Sequence, residues 1–188
     1  MKTIVILHGT MGSPQGNWFP WLKQEIEKLG HTAIVPKFPT PEGQTTRNWL
    51  KILDEAVPAY DENLILVGHS SSPLVICAKL QQLEKSVGAV FLAAPFIGDV
   101  GNAEYDELNA DFNSFPFDWE LIKKRCKKFY IYRSDNDPYV PEEQGRAMAE
   151  NLGVSEIIIP SGGHLNAETG YTKFPLLFKE LEQEICGQ

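Results

Sequence analysis

Short runs that are apolar at every position recur along this chain, separated by segments whose apolar residues return every three or four positions. Thr3-Ile4-Val5-Ile6-Leu7 is the first such run, and Asn63-Leu64-Ile65-Leu66-Val67 is another. A strand with no polar alternation is covered on both faces, which is the habit of parallel sheets with helices above and below. Further strands are expected at 33–36, 88–93, 128–132 and 156–159. Helical spacing lies between them. Phe19, Leu22, Ile26 and Leu29 form one stripe that stops at Gly30, and Trp49, Leu50, Leu53, Ala56 and Val57 form a second. Leu74-Val75-Ile76-Cys77-Ala78 is apolar all round, as in a buried helix. Helices are also expected at 119–126 and 141–152, and a closing one carries Phe174, Leu177, Phe178, Leu181 and Ile185. From 96 to 117 the periodicity fades while acids and aromatics accumulate, so this segment is expected to be an irregular excursion over the sheet edge. The alternation predicts one α/β domain over 1–188 with a parallel sheet and right-handed crossovers.

The run at 63–67 ends in Gly68-His69-Ser70-Ser71-Ser72-Pro73. A buried strand that delivers a serine onto a tight turn, with a helix starting behind it, is the layout of a nucleophile elbow. The turn needs small residues two before and two after the serine, and Gly68 and Ser72 are small. Ser72 departs from the usual second glycine. Pro73 falls in the first turn of the helix, where its missing N–H costs nothing.

In a parallel sheet, ligands bind outside the carboxyl ends of the strands, where strand order reverses. The loops that follow the strands therefore share one edge. They carry His8-Gly9-Thr10, then Ser70, then Ser134-Asp135-Asn136-Asp137-Pro138, then Ser161-Gly162-Gly163-His164. A serine, an acid and a histidine thus meet in the chain order that marks α/β-hydrolases. Ser70 needs a base to become nucleophilic, and His164 can take its proton and return it to a leaving group. An acid must orient the imidazole. Asp137 is preferred because Asp137-Pro138-Tyr139-Val140-Pro141 resembles a D-x-x-V-P pattern seen after this strand in α/β-hydrolases; Asp135 is the alternative, more suited to a turn. Two backbone donors are expected to form an oxyanion hole, the Ser71 N–H and the Thr10 N–H. His8 is expected to brace the first loop, with Gly9 and Gly68 as supporting small residues. His69 is expected to pack, His31 to be exposed and Cys77 to sit in the core.

Composition excludes several other classes. A net charge of −8 argues against nucleic acid or an anionic membrane as partner. The basic residues at 123–128 read as a solvated helix end. Three widely spaced cysteines fit reduced thiols, and no apolar run approaches a membrane span, so the chain reads as cytoplasmic. No cluster has metal-ligand spacing, and the first loop has neither a dinucleotide fingerprint nor a P-loop lysine, so no cofactor is expected. A flavodoxin-like nucleotide binder is disfavoured on the same ground.

His8-Gly9-Thr10-Met11-Gly12-Ser13-Pro14 followed by Asn17-Trp18-Phe19-Pro20-Trp21-Leu22, together with Gly68-His69-Ser70-Ser71, Asp137-Pro138 and Gly163-His164, resembles the small serine hydrolases grouped with retinoblastoma-binding protein 9 and bacterial YdeN. The resemblance spans nearly the whole chain. It implies a compact three-layer α/β-hydrolase fold of about six parallel strands, in order 2-1-3-4-5-6, with Ser70, Asp137 and His164 as triad. The L-x-C-x-E motif linked to retinoblastoma binding is absent, so that partner is not carried over and a protein partner stays open. The expected substrate is a small uncharged ester, thioester or amide. Phe96, Tyr105, Phe112, Phe115 and Phe117 are candidates for an apolar rim, or for ordinary packing. The competing function is a protein-interaction module on a hydrolase fold, which exposed apolar surface at Trp18 and Trp21 would favour.

Overall fold

The computed structural model describes residues 1–187. Strands β1 (Thr3–Leu7), β2 (Thr32–Ile34), β3 (Leu64–His69), β4 (Ala89–Ala93), β5 (Phe129–Ser134) and β6 (Glu156–Ile159) form one sheet in the order β2-β1-β3-β4-β5-β6. Every neighbouring pair is parallel. The chain starts in the interior of the sheet at β1, moves outward to β2, and returns on the other side of β1 as β3. The order therefore reverses between β1 and β3, and their carboxyl ends open side by side, with Leu7 paired to Gly68.

The sheet pleat divides the apolar runs between two cores. Val5, Leu7, Leu64, Leu66, Val90 and Leu92 face helices α2 (Thr46–Ala56), α3 (Ser72–Leu80), α4 (Ala103–Asn113), α5 (Trp119–Arg125) and α6 (Glu142–Leu152). Ile4, Ile6, Ile65, Val67, Ala89 and Phe91 face α1 (Phe19–Lys28) and α7 (Pro175–Cys186). Both alternating sets are buried, which is why β1 and β3 carry no outward polar residue. Helix α3 is buried at all nine positions: Leu74–Ala78 is apolar all round, the Ser72 hydroxyl is hydrogen-bonded, and Lys79 is paired with Asp54. Cys77 and Cys126 are buried free thiols, and Cys186 is an exposed one. The basic residues Lys123, Lys124 and Arg125 form the last turn of α5. Among the described residues, no helix is long and apolar enough to cross a membrane.

The excursion at 96–117 is not irregular. It contains the eleven-residue helix α4. Its signal lies in capping and propensity rather than periodicity: the Asn102 side chain accepts from the Glu104 and Tyr105 N–H groups, and Glu104 and Asp106 lie in the first turn, where the helix dipole favours acids. Only Asn109 and Phe112 of its residues are buried, so no apolar stripe was visible. Phe112 meets Trp49 edge-on at 5.0 Å, and Trp49 stacks on Phe38 at 4.5 Å. Asp111 accepts the Thr46 N–H at 2.5 Å, tying α4 to the start of α2. Helix α4 is thus anchored to the core by one aromatic side chain and to α2 by one carboxylate.

Phe112→Ala is expected to lower the unfolding free energy by about 3–5 kcal/mol, the usual cost of emptying a buried aromatic site. Urea unfolding at unchanged m-value measures it, and a loss within about 0.5 kcal/mol would mean that α4 is not anchored as described.

Candidate active site

Ser70 sits on the turn between β3 and α3 with a φ of 63°, in the left-handed region that non-glycine residues rarely occupy. Such backbone costs on the order of 1–3 kcal/mol and persists only where its surroundings hold it. Here the Ser70 N–H donates to Ala93 O at 2.9 Å, locking the turn to the end of β4. Ser72 Oγ accepts the His69 N–H at 2.9 Å and lies 3.0 Å from Leu7 O, locking it to β1. A serine replaces the second glycine because its hydroxyl fills that space with hydrogen bonds. Gly68 is closely packed, since a Cβ there would lie 2.7 Å from the end of the Ile76 side chain and 3.2 Å from Pro73 N. A Cβ on Gly9 would lie 2.7 Å from Ser70 Cβ and 2.9 Å from His69 O.

His164 and Asp137 meet Ser70 from the loops after β6 and β5. Ser70 Oγ lies 3.0 Å from His164 Nε2, and His164 Nδ1 lies 2.8 Å from Asp137 Oδ2. The carboxylate can only accept, so Nδ1 carries the proton and Nε2 is free to accept from the serine hydroxyl. Asp137 is itself fixed, because its Oδ1 accepts the Tyr139 and Val140 N–H groups. The two neighbouring loops are stitched together by adjacent residues. Asp135 accepts the Ser161 N–H at 2.7 Å, and Asn136 Oδ1 accepts the Gly163 N–H at 2.8 Å. Asp135 thus does the turn work, and Asp137 is the one that reaches the imidazole.

His8 and His69 brace rather than join this relay. His8 Nε2 accepts the Phe38 N–H at 3.0 Å, so Nδ1 carries the proton that Gly9 O receives at 2.9 Å. His69 packs against Trp18 and Phe19, and its Nε2 donates to His164 O at 2.9 Å. His31 is half-buried rather than exposed, with Nδ1 accepting the Lys2 N–H at 3.0 Å.

The two expected oxyanion donors differ. Ser71 stands at the N-cap of α3, and its N–H makes no hydrogen bond among the described residues. The Thr10 N–H instead donates to Ser71 Oγ at 2.9 Å. Gln44 and Asn109, which no motif singled out, also reach Thr10. Nothing short of the tertiary placement marks them, since they lie 34 and 99 residues from Thr10.

Ser70 opens into a cleft of about 250 Å³. Phe96, Val100, Tyr105 and Val140 make its apolar wall; Asn17, Asn166 and Glu168 make its polar one. No lysine or arginine lines it. Of the expected rim, Phe96 and Tyr105 take part. Phe112 belongs to the core, and Phe115 and Phe117 are partly buried against that core. A larger, open groove of about 800 Å³ beside α2, bounded by Asp54, Asp111 and Phe115, is lined by no histidine. Among the described residues, no group of three or more His, Cys, Asp or Glu side chains could hold a metal ion.

Burial, followed by the neighbouring His164, pushes the His69 imidazole down to about 3, from 6.5. Burial also lowers His8, against the opposing bond to Gly9 O. For both, the unfolded chain takes up the proton first. Their contribution to stability is therefore complete above about pH 6.5 and declines as pH falls from there toward the folded values. The urea midpoint is expected to fall between about pH 7 and about pH 5, above the range where ordinary carboxylates titrate, and His69→Gln is expected to flatten part of that slope. An identical slope in the variant would contradict it.

Comparison with known proteins bears on the family and the fold. The model of the serine hydrolase family matches residues 4–183. YdeN of Bacillus subtilis is 27% identical over 182 residues, covering 96% of this chain and 94% of YdeN. The serine hydrolase RBBP9 of Rattus norvegicus is 26% identical over 148 residues, covering 78% of this chain and 77% of that protein. The crystal structure of the B. subtilis ydeN gene product superposes with a TM-score of 0.90 at 26% identity, covering 99% of this chain and all of that one. Est1E of Butyrivibrio proteoclasticus, solved with ferulic acid bound, shares the fold at a TM-score of 0.73 and 15% identity, covering 100% of this chain and 90% of that one. With a family match across this much of its length, the chain belongs to the serine hydrolase family.

Proposed function

We propose that this protein cleaves a small, uncharged ester, thioester or amide through an acyl-enzyme on Ser70, with His164 as general base and Asp137 as its orienting acid. One observation carries the reading: an unbroken line from Asp137 Oδ2 through the His164 ring to Ser70 Oγ, at 2.8 and 3.0 Å, ending on a left-handed turn that opens into a cleft. Ser70 Oγ attacks the carbonyl carbon as its proton passes to His164 Nε2. The carbonyl oxygen becomes an oxyanion facing the Ser71 N–H at the start of α3. The Thr10 N–H is the second donor, and it reaches the oxyanion by leaving Ser71 Oγ. When the tetrahedral intermediate collapses, His164 protonates the leaving group. Water then attacks the acyl carbon as His164 takes its proton; collapse breaks the bond to Ser70 Oγ, which recovers that proton from His164, and the acid leaves.

The walls of the cleft support this substrate class. Its apolar side suits a modest acyl group, and with Glu168 as its one carboxylate and no cationic residue it disfavours anions. The competing view of a protein-docking module wanted exposed tryptophans near the first helix. Trp18 is instead fully buried, with Nε1 donating to Leu165 O, and Trp21 packs on Phe178.

Intact-mass analysis with a fluorophosphonate probe tests the reading. The wild type is expected to gain one adduct and Ser70→Ala none. His164→Ala is expected to label far more slowly, and Asp137→Asn to lower ester turnover by about 10⁴-fold through the wrong imidazole tautomer. Gly9→Ala, which drives a Cβ against Ser70, is expected to slow labelling by about 10²-fold. A folded wild type that takes no label, or a Ser70→Ala variant that labels normally, would overturn it.

A further inference from the structure

Beside the Ser70 relay lies a second polar network that no chemical step consumes. Its hub Thr10 is half-buried and its other members are buried: Ser71 is 0%, Asn109 3% and Gln44 7% exposed. Its protons have one consistent assignment. Asn109 Nδ2 donates to Tyr105 O at 2.8 Å, which leaves Oδ1 as the acceptor. The Thr10 hydroxyl donates to that Oδ1 at 2.6 Å. Thr10 Oγ1 then accepts from Gln44 Nε2 at 2.9 Å and from the Ser71 hydroxyl at 2.9 Å. Ser71 Oγ in return accepts the Thr10 N–H. Gln44 is held in turn, with Nε2 also donating to Leu108 O and Oε1 accepting from Thr40 Oγ1.

We propose that Asn109, supported by Gln44, is a positioning residue that holds Thr10 in register with Ser70 and so completes the oxyanion hole; this rests on the serine-hydrolase mechanism above. The loop after β1 is not held by regular secondary structure, and Met11 within it has a φ of 58°. His8 ties it at Gly9 O and Thr40 Oγ1 at the Met11 N–H; the Thr10 side chain is the tie that Asn109 connects to α4, which Phe112 fixes in the core. The N-cap serine of α3 makes no side-chain cap bond, so its hydroxyl serves the neighbouring loop instead of its own helix. The Thr10 N–H must exchange Ser71 Oγ for the substrate oxyanion. It can do so without the loop drifting, because three partners keep Thr10 Oγ1 in place while the peptide turns. A network of this kind confers geometry, where apolar packing of the same volume would confer only stability.

Hydrolysis of p-nitrophenyl acetate by Asn109→Leu, Asn109→Asp, Thr10→Val and the Thr10→Val/Asn109→Leu double variant tests this, with Asn113→Leu as control. Asn109→Leu is expected to lower kcat roughly 10- to 100-fold, somewhat less than losing an oxyanion donor outright, with KM within about 2-fold. Asn109→Asp keeps the acceptor for the Thr10 hydroxyl and is expected to recover most of that loss. Thr10→Val is expected to reproduce the loss, and the double variant to be no slower than the slower single one, because both break the same link. Asn113 clamps Gly98 from the last turn of α4 and does not reach Thr10, so Asn113→Leu is expected to lower stability while keeping kcat. The inference is overturned by wild-type kcat in folded Asn109→Leu, by additive losses in the double variant, or by an equal loss in Asn113→Leu. Should Asn109→Leu not fold, Asn109→Asp and Thr10→Val decide: a kcat in Thr10→Val equal to wild type refutes it. Fluorophosphonate labelling of the wild type separates the two levels. Absent labelling removes the hydrolase mechanism and this inference with it, whereas normal labelling with unchanged Asn109→Leu kinetics removes this inference alone.

Discussion

The left-handed backbone at Ser70 is the constraint to which the rest of the site answers. A β-strand buried on both faces cannot end gradually, because its last residues must still pair or be capped. β3 pairs as far as His69, and only Ser70 and Ser71 separate it from the first residue of α3. The turn is affordable because its amide is bonded to β4, the hydroxyl of Ser72 is bonded back to β1, and Gly68 and Gly9 leave the space that side chains would fill. Strand order reverses at the same place, so the β1 loop lies beside the elbow and the loops after β5 and β6 close from the other side. Fold and site are one arrangement.

Hydrogen-bond polarity then sets each histidine apart. His164 has a carboxylate acceptor on one nitrogen and a hydroxyl on the other, the pair of partners on which its proposed role as general base rests. His8 has an N–H donor on one side and a carbonyl on the other, and His69 has a carbonyl on one side and aromatic rings around it. Burial lowers the pKa of both, and both are structural ties between loops. Three imidazoles within one small region thus do different work because their partners differ.

Much of this was legible in the residues. Apolar runs marked all six strands: burial on both faces leaves a continuous signature in β1, β3, β4 and β5, and the half-buried edge strands β2 and β6 carry apolar runs as well. The order of Ser70, Asp137 and His164 along those strand ends followed from the topology. Helix α4 was not legible by periodicity, since it buries only two residues; its Asn102 cap and acidic first turn were the available signal. Phe112 was grouped with rim residues, although it belongs to the core, because aromatic content does not say which face a helix presents. The direction of the Thr10 N–H was equally hidden. It depends on the Ser71 hydroxyl turning away from its own helix, a choice between partners 3 and 61 residues away. Gln44 and Asn109 carry no motif at all, since their meaning is a meeting of three separate segments.

The most direct test of the acyl-enzyme account is a rapid-quench experiment in which the wild type is mixed with excess p-nitrophenyl acetate, stopped in acid and digested for mass spectrometry. The account predicts a burst of p-nitrophenol close to one equivalent per chain, with the acetyl mass on the peptide that contains Ser70. Steady turnover with no burst and no acetyl group on that peptide, persisting in Ser70→Ala, would contradict it.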